Sequence, residues 1–341
     1  MEDTPNHQES VAAEHGEKTM PRGFRPLAGF TAGILLLLQF VYLNRPDALT
    51  AITVFPVWIW TAAISVPVLL MFLFASRRYG CLLVLPIIVT MLLADTPLAL
   101  IRGLYHSAPP VVRSEADQTV RIITLNCLHQ QDAVTDLKRF EPDIVFVQEY
   151  RRIDVEQVRR EIFGEASFVI RNHDVAIFSR FPLTEHSMPS DLYRTCMAGR
   201  AEIGEISLLL VPLHLQSPPP RIDLWKADCW RSYTANRNKQ REQLQLIFDS
   251  LPEFTPENAV VMGGDFNAPP GDAIFELLPP FMQDAFHEVG VGWGRTYANE
   301  LPVIRIDQLW STPVVRPIRS MAVDSKGSDH RAVIVDYELV P

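Results

Sequence analysis

Two polar side chains set two residues apart, Asp265 and Asn267, close the stretch Val260-Val-Met-Gly-Gly-Asp-Phe-Asn-Ala-Pro-Pro-Gly-Asp272. Its β-branched apolar start reads as a buried strand that stops at Gly263-Gly264. At this spacing on extended backbone both acceptors share one side, while Phe266 turns into the core. Pro269-Pro270-Gly271 then keeps the pair at the strand tip. A carboxylate and an amide placed there suit a site for a hard cation and a phosphate. Taken alone, the same residues also suit an Asx turn. The chemistry therefore depends on what the other strand ends carry.

Several carry something. A strand over 120–125 ends on Asn126, and a strand over 144–147 ends on Gln148-Glu149, so two neighbouring strands each deliver a metal-competent side chain. Singly, Asn126 also reads as a turn residue and Glu149 as a helix cap. A strand over 207–213 ends on His214, which alone reads more readily as a satisfied core or surface histidine. A strand over 303–309 carries Asp307, and Ser328-Asp329-His330 precedes a closing strand over 332–339. Asp329 and His330 are adjacent, so they face opposite ways unless the junction twists. With such a twist, one could ligate metal while the other faces the phosphate.

The elements that position these tips alternate strand and helix. Helical spacing puts one helix from Asp132 to Phe140, one over 155–163 and one over 236–251. Strands near 167–171 and 175–179 lie between them. Residues 216–233, with Pro218-Pro219-Pro220, Trp225 and Trp230, read as a long loop that rims the site, rests at a bilayer surface or covers a sheet edge.

The chain has 341 residues, mean hydropathy +0.07 and a net charge of −9. The acidic excess lies in residues 103–341, with 33 Asp+Glu against 24 Lys+Arg. That balance argues against gripping long nucleic acid through backbone charge, though not against metal-assisted attack on a phosphate ester. The first third differs in kind. Residues 1–26 read as a disordered cytoplasmic tail, and 27–103 as a membrane anchor. Three apolar runs, 27–43, 49–75 and 80–101, predict three transmembrane helices. Basic residues before the first run and at Arg77-Arg78 place the N-terminus in the cytoplasm and the C-terminal region outside it, with a bacterial inner membrane as the setting. Asp95 falls within the third run beside Pro97, either as a functional intramembrane carboxylate or as a hydrated break near the interface. Residues 104–119 read as a linker, and 120–341 as the catalytic domain.

Leu125-Asn126, Gln148-Glu149, Leu213-His214, Gly264-Asp265-Phe-Asn267, Ile306-Asp307 and Ser328-Asp329-His330, in this order, resemble the endonuclease/exonuclease/phosphatase superfamily across about 120–341. That resemblance implies an α+β fold, a four-layer α/β/β/α sandwich, here preceded by the three helices. It implies Mg²⁺, with Mn²⁺ as a substitute, held by Glu149 with Asn126 and Asp329. It implies that Asp265 and His330 orient or deprotonate the attacking water, with Asp307 fixing the His330 tautomer, and that Asn267 and His214 contact the phosphate. The sequence departs from many members at Asp174-Val175, where they carry Gly, and in the length of the loop after His214.

The expected activity is thus a membrane-anchored phosphoesterase. Its substrate is a nucleic acid, a phospholipid or a small phosphate ester, and its other partner is the bilayer; no protein partner is implied. The alternatives are an idle binding or scaffold domain of the same fold, and a transporter or receptor working through Asp95. Cys196 and Cys229 would face an oxidising compartment and are candidates for a disulfide.

Overall fold

The computed structural model describes residues 24–74, 77–92, 96–105 and 119–340. Asp95, the tail before residue 24 and most of the expected linker lie outside them.

The chain begins with α1 (Phe24–Asn44), a 3₁₀ turn (Asp47–Leu49), α2 (Thr50–Thr53) and α3 (Val57–Phe74). The expected run 49–75 is therefore broken. Pro56 cannot donate to a helical ladder, and α3 starts immediately after it. α1 and α3 are the two described helices long and apolar enough to cross a membrane. The third expected span is not one such helix. Its place is taken by α4 (Arg77–Met91), 15 residues long, and α5 (Thr96–Tyr105), 10 residues long. At 1.5 Å per residue α4 reaches only about 22 Å against a hydrocarbon core of about 30 Å. α4 packs beside α1 and α3. α5 rests on the C-terminal region, where the Arg102 guanidinium donates to the Gly290 and His287 carbonyls at 3.1 and 2.9 Å.

The C-terminal region is an α+β sandwich. Its strands are β1 (Thr119–Asn126), β2 (Ile144–Gln148), β3 (Phe168–Arg171), β4 (Val175–Ser179), β5 (Leu183–His186) and β6 (Ala198–Ile203). They continue as β7 (Ile206–His214), β8 (Val260–Asp265), β9 (Gln283–Asp284), β10 (Asp307–Ser311), β11 (Val315–Val323) and β12 (Ala332–Leu339). One sheet runs β11-β12-β1-β2-β4-β3 and the other β5-β6-β7-β8-β10-β9. Each has one parallel pair at its centre, β1 with β2 and β7 with β8, and antiparallel neighbours around it. The continuous apolar runs of the central strands follow, because both of their faces are covered. Phe146, Ile177, Leu210 and Tyr337 pack between the sheets. α6 (Gln131–Thr135) and α7 (Val155–Phe163) cover the first sheet through Val134, Leu137 and Val158. α8 (Ala227–Ser250) covers the second through Leu244 and Ile247.

α8 begins nine residues before the expected start, so the Trp-bearing segment is partly helix. Cys229, Tyr233 and Arg237, spaced i, i+4, i+8, are its buried face. The expected helix over 132–140 is instead α6 followed by a 3₁₀ turn. Cys196 and Cys229 are free and buried in separate clusters, so the candidate disulfide does not form. Cys196 packs with Leu213, and Cys229 with Ala51 and Tyr233.

Candidate active site

Strand register assembles the site. His214 pairs with Asp265 across β7 and β8, and Asp265 with Asp307 across β8 and β10, so three polar residues lie in one row of the second sheet. β8 runs through both glycines to Asp265 instead of stopping at them. A Cβ on Gly264, where φ is +141°, would sit 2.0 Å from the Leu213 carbonyl oxygen. Only glycine lets the strands close at this point. In the first sheet Asn126 pairs with Gln148, and Glu149 follows with φ 56°. Such left-handed backbone costs about 1–3 kcal/mol at a non-glycine residue and is concentrated at functional sites. It is held by the Glu149 amide donating to the Asp174 carbonyl at 3.0 Å and by the His129 amide donating to the Glu149 carbonyl at 2.9 Å.

The two sheet ends meet at Asp265. Its Oδ2 accepts from Asn126 Nδ2 at 3.1 Å, and Oδ1 accepts from the Asn267 amide at 2.8 Å. His214 Nε2 lies 3.6 Å from Oδ2 and His330 Nε2 3.9 Å from the same atom. Each imidazole is fixed from behind by a carboxylate: His330 Nδ1 by Asp307 Oδ2 at 2.9 Å, and His214 Nδ1 by Asp174 Oδ2 at 2.6 Å. Asp174 is in turn held by Arg151 at 3.2 Å. Asn126 Nδ2 also reaches Glu149 Oε1 at 3.1 Å. The Ser328-Asp329-His330 junction is twisted as needed. Ser328 Oγ donates to the Asn126 carbonyl at 2.7 Å and accepts from the His330 amide at 3.0 Å, which brings both Asp329 and His330 to the same cavity.

That cavity, of about 330 Å³, is lined by Asn126, Glu149, Asp265, Asn267, Asp329 and His330. It therefore brings together six of the eight expected site residues. His214 reaches Asp265 from beneath, and Asp307 stands behind His330. Asn267 also lies at φ 50°, and its amide nitrogen donates to the Leu215 carbonyl at 3.0 Å.

Burial sets the electrostatics. It pulls the His330 imidazole down, but the charges of Asp307 and Asp265 outweigh it and hold the group up at about 10. His214 is likewise held above its ordinary value, because Asp174, Asp265 and Glu149 outweigh desolvation. Asp174 is held below its own range, since the His214 hydrogen bond and charge outweigh burial. Asp265 is pushed up, first by burial and then by Asp307.

Two groups could hold a cation. Glu149 and Asp329 offer carboxylate oxygens to the open cavity, and Asp329 Oδ1 is buried without a hydrogen-bond partner; Asn126 lines the same cavity, its Oδ1 accepting from the Leu128 amide at 3.2 Å. Asp265, Asp307 and His330 place ligand atoms within 4.8 Å of one another, fully buried. In the second group Asp307 Oδ2 is already committed to His330, while Asp307 Oδ1 is buried without a hydrogen-bond partner, as Asp329 Oδ1 is. The oxygen set of the first is what a hard divalent cation takes.

Sequence reasoning missed Asp174, noting it only as a departure. It also missed His129, whose Nε2 lies 3.9 Å from Glu149 Oε2, and Tyr297, whose ring centre is 5.1 Å from that of His330. Thr296, whose Oγ1 accepts from the Asp307 amide at 3.2 Å, was likewise unmarked.

Two packed sheets with a polar cluster where their ends meet define a hydrolase of phosphate esters. The chain belongs to the endonuclease/exonuclease/phosphatase family, whose sequence profile matches residues 123–330. No curated protein matches it by sequence. Among solved structures, it resembles an endonuclease/exonuclease/phosphatase from Beutenbergia cavernae DSM 12333 with 16% identity and TM-score 0.50, covering 65% of this chain and 72% of that one. A humanized D. rerio TDP2 is similar at 16% identity and TM-score 0.50, covering 65% and 99%. Selenomethionine TDP2 from Caenorhabditis elegans aligns at 17% identity and TM-score 0.50, covering 99% and 100%. At these identities the likeness is one of fold.

Proposed function

We propose that the chain is a membrane-anchored, Mg²⁺-dependent phosphoesterase whose catalytic domain, residues 120–341, hydrolyses phosphodiesters outside the cytoplasm. The observation that carries this reading is the convergence of two carboxylate-backed imidazoles on Asp265 Oδ2, beside the Glu149 and Asp329 carboxylates and the Asn126 side chain. Those three would hold the cation, which when bound polarises the phosphoryl oxygens and offsets their charge. Asp265, pushed up by burial, takes the proton of the attacking water. His330, held cationic by Asp307, donates from Nε2 to the phosphate oxygens rather than acting as the base. His214, also held toward its cationic form, serves the leaving oxygen, and Asn267 lines the phosphate pocket.

The anchoring part of the proposal is supported by α1 and α3. Only 22% of each apolar window is buried, whereas a core helix would be covered. Phe30, Leu36, Phe40, Leu69 and Leu73 face outward, more apolar surface than a soluble monomer tolerates in one patch. The segment joining the two helices rests on the catalytic domain, which puts that domain on the side where α1 ends and α3 begins. Lys18 and Arg22 precede α1, Arg25 lies in its first turn and Arg77-Arg78 follow α3, all away from the joining segment, in keeping with a cytoplasmic N-terminus.

The test is hydrolysis of bis(p-nitrophenyl) phosphate and p-nitrophenyl phosphate by the full chain in detergent, with Mg²⁺ or with EDTA. Mg²⁺-dependent cleavage of the diester, lowered about 10²–10⁴-fold by Asp265→Asn, supports the reading. Folded protein that cleaves neither ester overturns it.

A further inference from the structure

The residues between α1 and α3 are built into the catalytic domain. Pro46 opens the 3₁₀ turn, and Ala51 of α2 is buried against Cys229 and Tyr233 of α8. The Asp47 carboxylate accepts from Arg241 Nη1 at 2.6 Å and from Arg237 Nη1 at 3.3 Å, while its carbonyl accepts from Thr234 Oγ1 at 2.9 Å. Arg237 is 1% exposed. It donates to the Arg45 carbonyl at 3.1 Å, Thr53 Oγ1 at 2.6 Å and Asp272 Oδ2 at 2.9 Å, so one guanidinium ties the segment to the loop that follows β8. A buried cation whose two terminal nitrogens hold four partners specifies one placement of the segment, because any other leaves it uncompensated.

This placement brings Val54 into the active-site cavity itself, where it lines the same space as Glu149, Asp265 and His330. Gln240, one turn of α8 beyond Arg237, donates to the Asn267 carbonyl at 3.2 Å and the Gln216 carbonyl at 2.8 Å. The same helix thus grips the segment with one side chain and the active-site strand tip with the other. Around Val54 the wall is completed by Pro218, Pro219, Pro220, Ile304 and Ile306, and no Lys or Arg is among the described residues lining the cavity.

We propose that Val54, held in place by residues 47–53, forms part of a wall of the substrate cleft that selects phosphodiesters with an uncharged, apolar substituent, in preference to polyanionic strands. The proposal rests on the phosphoesterase reading above. Only one anionic phosphate meets compensating groups at the histidines and the cation site. Further phosphates along a strand would meet a wall mainly of proline, valine and isoleucine, in which Ser217 and Tyr297 supply hydroxyls but no described residue supplies a positive charge. An aryl or alkyl substituent gains by leaving water against the same surface.

The experiment uses the full chain in detergent micelles with Mg²⁺. It compares bis(p-nitrophenyl) phosphate, methyl p-nitrophenyl phosphate and a single-stranded DNA decamer whose 5′-phosphate is esterified with p-nitrophenol, so that all three lose the same p-nitrophenolate. Val54→Trp fills the wall and is expected to raise KM for the bis-aryl ester about 10-fold, with kcat within about 2-fold and the methyl ester changed less. Asp47→Lys is expected to speed amide exchange in residues 50–54 and to raise the same KM, and adding Arg241→Glu to restore both. The unmodified chain is expected to cleave the DNA with at least about 10-fold lower kcat/KM than the bis-aryl ester. Unchanged kinetics in active Val54→Trp, unchanged exchange in Asp47→Lys, or a preference for DNA overturns the proposal alone. An unmodified chain that cleaves none of the three overturns the phosphoesterase reading and this one with it.

Discussion

His214 Nδ1 lies 2.6 Å from Asp174 Oδ2, and this pair bridges the two sheets, since His214 ends β7 while Asp174 immediately precedes β4. It duplicates from the opposite side what Asp307 does for His330. The site is therefore flanked by two imidazoles, each held to one orientation.

Asp174→Asn tests that pair. His214 is raised from 6.5 and Asp174 lowered from 3.8, so in the folded protein the two are charged together between these values. The histidine's contribution is complete below 6.5 and is lost as pH rises through its folded value. The aspartate's is present above 3.8 and is lost as pH falls through its folded value. The stability gap between wild type and Asp174→Asn should be widest near pH 5, at about 3–5 kcal/mol for a buried pair losing one partner. Urea unfolding across pH 3–9 measures it, and a gap that is flat with pH would rule the charged pair out.

Asp265→Asn should separate stability from activity. The carboxyl is raised above 3.8 mainly by burial, so folding disfavours its ionised form once pH exceeds that value. In EDTA the variant should unfold at higher temperature than wild type at pH 7, with the gain fading toward pH 4, while hydrolysis is lost. A lower melting temperature at pH 7 would contradict this assignment.

His330 should stay protonated through neutral pH in metal-free protein. Its group is held at about 10. The stability it adds is complete below 6.5 and is lost as pH rises toward 10. In the NMR spectrum in EDTA its ring signals should not titrate between pH 6 and 8, and Asp307→Asn should bring the midpoint down into that range. Titration near pH 6.5 in the unmodified chain would refute the Asp307 role.

Glu149→Gln should raise the Mg²⁺ concentration for half-maximal activity by about 10–100-fold, with the fold kept. The check is a Mg²⁺ titration of diester hydrolysis beside a circular dichroism spectrum. An unchanged midpoint would move the cation to the Asp265, Asp307 and His330 group.

Gly264→Ala should destabilise the sandwich by at least about 2 kcal/mol, since the added methyl meets backbone and φ is positive. Thermal unfolding reads this directly, and wild-type stability would mean the strands part there at little cost.

Much of the site was legible because buried parallel strands write themselves as apolar runs with one polar residue at the end. Asn126, His214 and Asp265 are such residues, and register then lines them up across the sheets. Asp174 could not be read this way. It precedes its strand, and its partner lies 40 positions away in the other sheet. Thr296 and Tyr297 sit in irregular chain before β10, where no periodicity marks them. β5, β6 and β11 alternate polar and apolar residues weakly and were not expected. The early start of α8 was hidden by the proline run before it, and the division of the third apolar run into α4 and α5 by a hydropathy that reads 80–101 as continuous.

The tie between Arg237 and Asp47 makes the apolar helices more than a mooring. A protease cutting between α5 and β1 would leave the fragments held together by the contacts of residues 45–54 with α8 and of Arg102 with the Gly290 and His287 carbonyls. Once they parted, Arg237 would lose three of its four partners and the cleft one of its walls. On the reading proposed above, the liberated sandwich would have a more open cleft and lower selectivity, so severing the chain at that joint would change which esters it takes.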